Sequence, residues 1–211
     1  ETRRLEPLFR ADGTIDWALR PESPFDPQQV KIENLVVLDG QIDIVDEAFG
    51  TSHRLDIASA RVSARGLTGP WKVTSELTAD GEQMVLEGST GQPDETGKLP
   101  VRLKVFPAGR SLAIETDGSA SAAKGRIAYS GQFQFRPASL SDPASASMRG
   151  SASEERPAFR VTGTFDFKPE WLTLPEIRLE TGDPENPYVA NGKGAISFAG
   201  TPRFNISLDG N

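Results

Sequence analysis

A chain of 211 residues with 36% apolar and 25% charged residues has enough hydrophobe to bury a core, too much for a disordered chain and too little for a membrane span. A net charge of -7 argues against a nucleic-acid partner, whose phosphates must be neutralised by Lys and Arg, and against electrostatic docking on anionic lipid heads. With no cysteine, disulfides, thiolate nucleophiles and zinc–thiolate sites are excluded, while the compartment stays open.

The chain opens on Glu1 with no basic, apolar leader after it and stops abruptly at Asn211, which reads either as a cytosolic chain or, the favoured expectation, as an excised soluble piece of something longer. Period two then dominates. Short runs come first, with Ile42 and Ile44, then Leu55 and Ile57. Leu99, Val101, Leu103 and Val105 alternate with Pro100, Arg102, Lys104 and Phe106. Ile127, Tyr129, Gly131, Phe133 and Phe135 alternate with polar neighbours, as do Phe159, Val161, Gly163, Phe165 and Phe167. Successive strand side chains point to opposite faces, so each run carries one apolar and one polar face. These are half-buried antiparallel strands, because strands of a parallel sheet read apolar on both sides. Leu112 and Ile114, Ile196 and Phe198, and Phe204, Ile206 and Leu208 continue the pattern. Helical periodicity is confined to single turns at 25–30 and 137–143.

Turn signals punctuate the runs. Asp-Gly begins at Asp12, Asp39, Asp80, Asp117 and Asp209, and Asn191-Gly192 adds a sixth. Such dipeptides tolerate the positive φ of tight hairpin turns. The expected arrangement is a β-meander. The stretch 137–157, rich in Ser, Ala and Pro, reads as a linker or long surface loop between an N-terminal region (1–136) and a second unit (158–211). An echo supports this division. "PWKVTSELTA" from Pro70 and "AFRVTGTFDF" from Ala158 each open about fifty residues and four strands, the first unit spanning about 67–118. Both end in Ala-Gly, a few turn residues and an alternating strand closed by Asp-Gly. One such unit cannot cover its own apolar face, and stacking units extends that face.

Catalytic chemistry finds no residues to use. His53 is the only histidine and reads as a strand-edge residue. "EGSTG" at Glu87 misses the spacing of a nucleophile elbow. "VDEAF" at Val45 and "SEERP" at Ser153 are loop-edge acids, and "DPEN" at Asp183 is a proline-rich turn rather than a calcium loop. No Gly-rich phosphate loop occurs. The reading is a non-enzyme without metal or cofactor. Trp17, Trp71 and Trp171 read as hairpin staples, or as residues at the mouth of a groove.

Three stretches in order resemble the AsmA family of Gram-negative envelope proteins. "LEPLFRADGTIDWALRPES" is similar to its "dG-x-x-nW" segment through Asp12, Gly13, Asp16 and Trp17, with Asp16 where the family usually has Asn. "VKIENLVVLDGQIDIVDEA" resembles a second segment through Val30, Ile32, Leu35, Val37, Gly40, Ile42 and Asp46. "LTGPWKVTSELTADGEQMVLEGSTG" resembles a third through Leu67, Gly69, Pro70, Trp71 and Val73. The resemblance implies a long antiparallel sheet curved like a taco around an apolar groove. It also implies a periplasmic location, an N-terminal inner-membrane anchor and envelope-protein partners. The function it implies is conduction of phospholipid or other acyl chains between the inner and outer membranes. The residues expected to line the groove are Ile42, Ile44, Leu55, Ile57, Val101, Leu103, Val105, Ile127, Tyr129, Phe133, Phe135, Val161, Phe165 and Phe167. The competing expectation is a closed β-sandwich serving as an adhesion or scaffolding module for protein or glycan, and a third is a β-sandwich glycan-active enzyme whose two carboxylates would converge from distant strands.

Overall fold

A computed structural model describes residues 4–5, 8–9, 15–16, 31–46, 51–66, 69–123, 126–139, 142, 159–183, 185–198 and 201–210. The Asp12-Gly13 signal, Trp17, Val30, Leu67, the 25–30 segment and residues 143–157 lie outside them, as do the side chains of Ile44, Asp46 and His53. Three two-residue strands come first: β1 Arg4–Leu5, β2 Leu8–Phe9 and β3 Ile15–Asp16. β4 Ile32–Asp46, β5 Thr51–Ala64, β6 Trp71–Ala79, β7 Glu82–Thr90 and β8 Leu99–Pro107 follow. The remainder are β9 Leu112–Ala123, β10 Arg126–Pro137, β11 Phe159–Lys168, β12 Trp171–Thr181, β13 Tyr188–Ser197 and β14 Arg203–Gly210.

All belong to one sheet. From β4 to β14 each strand pairs antiparallel with the next in sequence, an eleven-strand meander. At the β4 margin β1 and β2 pair parallel with β4, and β3 pairs with β2. Beyond token approaches, the described strands touch only their ladder neighbours. Among the described residues no second layer packs on the sheet, which is curved and unclosed. A closed sandwich needs two sheets face to face, so that expectation gives way to a single curved sheet.

The two echoing stretches fall on β6–β9 and on β11–β14 of one continuous sheet. β10 stands between them and pairs with both β9 and β11. The 137–157 segment therefore joins adjacent strands of the same sheet. Four register irregularities interrupt the ladders, between Ile32 and Leu35, Ile57 and Ser59, Thr164 and Asp166, and Leu174 and Ile177. Bulges of this kind bend a strand and increase its twist, which is how so wide a sheet curls.

The turn signals require correction. Asp80-Gly81 does close the β6–β7 hairpin, both residues at positive φ (48° and 87°). Asp39-Gly40, Asp117-Gly118 and Asn191-Gly192 instead lie inside β4, β9 and β13, and Asp209-Gly210 ends β14. Glycine serves a different purpose there. Gly118 and Gly131 are cross-strand partners, and a Cβ on Gly118 would collide with the Ser130 carbonyl oxygen. The two backbones pass too close for any side chain.

Candidate ligand-binding face

Opposed residues of an antiparallel pair share a face, so the register sorts the side chains strand by strand. One row crosses all eleven meander strands: Val37, Ala60, Ser75, Leu86, Val105, Ile114, Phe135, Val161, Leu179, Ala190 and Gly210. A second row on the same face reads Leu35, Val62, Val73, Gly88, Leu103, Thr116, Phe133, Gly163, Ile177, Gly192 and Leu208. Neither row contains a charge. Between them, on the opposite face, run Val36, Arg61, Thr74, Glu87, Lys104, Glu115, Gln134, Thr162, Arg178, Asn191 and Asp209. Ten strand spacings of about 4.8 Å give the uncharged rows a contour of roughly 48 Å.

Every residue expected from the alternation whose side chain is described falls on this uncharged face. In β4 and β5 the alternation is reset at Asp39 (φ 52°) and at the Ile57–Ser59 irregularity. Ile57 and Leu55 therefore share the face of their β6 partners Leu77 and Ala79, and Ile42 lies opposite Leu55, with Ile44 at the matching register position opposite His53. Val101, Leu103 and Val105 supply β8, and Ile127, Tyr129, Phe133 and Phe135 supply β10. Val161, Phe165 and Phe167 supply β11. The sequence reading did not single out Leu86, Leu172, Leu174, Ile177 and Leu179, which share the face, and named Val73 only for the third family-like segment. In β12 the reason is the bulge: the spacing jumps from Leu174 to Ile177, so strict alternation breaks mid-strand.

Phe133, Phe165 and Ile177 are buried, with Tyr129, Phe135, Val161, Phe167, Leu172 and Leu174 packed around them. Phe133 lies over Gly163, where an added Cβ would come within 2.8 Å of its ring. Tyr129 and Phe165 meet edge to face with centroids 4.8 Å apart, the arrangement that ring quadrupoles favour. A ring above a cross-strand glycine covers backbone that no side chain on that residue can cover.

The polar atoms on this face bond within the sheet. Ser75 Oγ donates to the Ser59 carbonyl at 3.0 Å. The Tyr129 hydroxyl lies 2.8 Å from Thr116 Oγ1 and 3.2 Å from the Val101 carbonyl. Burial raises the Tyr129 phenol above its ordinary value, with Thr116 pulling the other way. An apolar ligand laid across these residues therefore leaves no donor stranded.

The opposite face is held by ion pairs. Arg102 pairs with Asp117 across β8–β9, and Lys104 with Glu115 at 3.5 Å. Arg136 bridges Glu115 at 2.6 Å and Asp142 at 2.8 Å, tying the start of the 137–157 segment to the sheet. The same face carries a small apolar cluster, Phe106 (1% exposed) with Ala113 and Val85. Trp171 is exposed on that face beside Lys168 and Ser197.

One cleft of about 580 Å³ opens where the uncharged face meets the chain ends of β4–β7. Ile32, Ala64, Pro70 and Trp71 form its apolar side, and Lys31, Arg65 and Lys72 its cationic rim, with Lys31 paired to Glu33 at 2.8 Å. Among the described residues no three of His, Asp and Glu converge in a way that would hold a metal ion, and no helix is long and apolar enough to cross a membrane. Set against models of known families, curated proteins and solved structures, the chain matches none.

Proposed function

We propose that this chain is a periplasmic segment of an AsmA-like envelope protein, anchored at the inner membrane, whose uncharged face carries phospholipid acyl chains toward the outer membrane and so supports that membrane's integrity. The observation that carries the reading is the pair of rows that cross eleven strands without a charge and, among the described residues, without a second layer above them. A soluble protein rarely leaves an apolar patch of that size bare unless something binds it. An acyl chain is a fitting occupant, because it is long, flexible and without hydrogen-bonding groups. Each methylene it buries contributes roughly 0.8 kcal/mol, and no bond need be made or broken. Movement is then a change of position along rows that look alike from strand to strand. The cleft at Trp71 suits a headgroup: Lys31, Arg65 and Lys72 face a phosphate while Ile32 and Ala64 meet the first methylenes. The order of the three sequence segments that resemble the AsmA family supports the periplasmic setting and envelope-protein partners.

The test is gentle purification followed by mass spectrometry of an organic extract. Phospholipid in near-stoichiometric amount is expected, falling when Leu86 and Leu103 are both replaced by Glu. Protein that carries no lipid or detergent and is unchanged by those substitutions overturns the reading.

A further inference from the structure

The cleft of about 580 Å³ at Trp71 lies on the rim of the sheet, where β4 and β6 begin and β5 and β7 end. Two cross-strand rows meet there. Ile32, Ala64 and Trp71 belong to the uncharged face, and Ser63, Lys72 and Ser89 stand on the other. Opening onto both, the cleft is a lip over which an acyl chain lying on the sheet passes its polar end to water. The apolar wall of this lip is held in place. The Trp71 N–H donates to Thr90 Oγ1 at 3.0 Å, and a Cβ added to Gly69 would lie 3.1 Å from the Trp71 ring.

Charge at the lip runs against the charge of the chain. Three cations, Lys31, Arg65 and Lys72, line the cleft with one carboxylate, Glu33, a local balance of +2 in a chain of -7. Lys31 Nζ lies 2.8 Å from Glu33 Oε1, and that hydrogen bond holds the Glu33 carboxyl below its ordinary value, ionised and engaged. Arg65 and Lys72 have no ion-pair partner among the described residues. Charges more than about 8 Å apart are largely screened at physiological salt, so an occupant meets the local balance. A phosphate diester finds two unengaged cations and the hydroxyls of Ser63 and Ser89, the donors that anionic oxygens bond most strongly. An ammonium finds two cations beside it and no free carboxylate.

We infer that this cleft selects phospholipids whose headgroup carries a phosphate and no ammonium, so that phosphatidylglycerol and phosphatidate are held in preference to phosphatidylethanolamine. The inference rests on the reading that the uncharged face carries acyl chains: the tail supplies the affinity and the lip the choice. Exposed ion pairs are weak, so the preference is about fivefold rather than absolute. The net charge of -7 still disfavours docking of the whole molecule on an anionic surface, while the lip gives a single headgroup a cationic seat.

Native mass spectrometry of the chain, stripped of lipid and given an equimolar mixture of dioctanoyl phosphatidylglycerol and dioctanoyl phosphatidylethanolamine, reads the choice directly, because the tails are identical. The bound ratio is expected to favour phosphatidylglycerol about fivefold. R65Q combined with K72Q should bring the ratio to about one, with the thermal melt unchanged because both side chains are exposed. K168Q combined with K193Q removes two exposed cations from β11 and β13 and should leave the ratio as it was. Glycerol 3-phosphate in large excess should not displace the lipid, since it lacks the tail. Equal binding of the two lipids, a ratio that survives R65Q with K72Q, or one that falls as far with K168Q and K193Q overturns the inference and leaves the lipid reading standing. Displacement by glycerol 3-phosphate overturns it as well, by making the cleft a site for free phosphate esters. Binding of neither lipid overturns the inference together with the lipid reading.

Discussion

Between β10 and β12 the buried positions of the uncharged face are rings and a branched chain, whereas between β4 and β7 they are small residues. In the first region Phe133, Phe165 and Ile177 bury one another with Tyr129, Phe135 and Phe167 around them. In the second, the buried residues on this face are Ala60, Ala64 and Ser75, with Val37, Val62, Val73 and Leu86 only half covered. Both regions belong to one ladder and have the same alternation, yet they differ in how far they cover themselves. Rings reach across to neighbouring strands and exclude water without help. Alanine and serine cannot, so the β4–β7 floor stays shallow and relies on whatever lies over it. The ring region anchors the sheet; the small-residue region is where an occupant adds most.

The largest effect that would sharpen this contrast is truncation of a ring. Phe165→Ala is expected to cost about 3–5 kcal/mol, lowering Tm by roughly 6–20 °C in a chain of this size. Leu86→Ala, at a half-covered site, should cost clearly less. Calorimetric melts that rank Leu86→Ala equal to or above Phe165→Ala would remove the distinction. Next is Gly163→Ala in β11, whose added Cβ meets the Phe133 ring and the Glu176 carbonyl oxygen. A loss of about 1–3 kcal/mol is expected in denaturant titration, and a neutral result would mean that Phe133 does not sit over Gly163. Hydrogen exchange offers a third comparison: stripping bound lipid with detergent should speed exchange in β4–β7 while leaving β10–β12 nearly unchanged.

A smaller effect lies on the opposite face. Hydrogen bonding to the Arg136 guanidinium, helped by the Ser139 N–H, holds the Asp142 carboxyl at about 2, below its ordinary 3.8. The anchor is therefore fully present above about pH 4 and is lost as pH falls toward 2, worth at most about 2 kcal/mol. Asp142→Asn should flatten the acid limb of stability over that window, and an unchanged limb would contradict the assignment. Smallest of all, Arg102→Ala removes an exposed pair with Asp117 and should cost under about 1 kcal/mol.

The meander and its apolar face were legible because alternation reports which side of a strand meets water. Val101, Leu103 and Val105 declare one face, and Arg102 and Lys104 the other. What the pattern could not show were departures from period two. The bulges at Leu174–Ile177 and Ile32–Leu35 shift the phase by one residue and hide part of the face. Asp-Gly and Asn-Gly report backbone permissiveness, which a hairpin turn and a close approach between strands both need, so Asp117-Gly118 resembled a turn while lying mid-strand. Phe106 falls on the polar phase of β8, yet it is buried against Ala113 and Val85. A lone phenylalanine out of phase was the available sign. Which strand lies at the margin depends on the whole topology, and no single segment carries that information.

The central claim is that one face of this sheet, and not the other, meets acyl chains. A photo-reactive phenylalanine analogue placed in turn at Leu103 and at its neighbour Arg102 tests it most directly, because the two side chains leave the same strand in opposite directions. After irradiation in cells, intact-protein mass spectrometry should find a phospholipid adduct at position 103 and none at 102. Equal adducts at both positions, or none at 103, would contradict it.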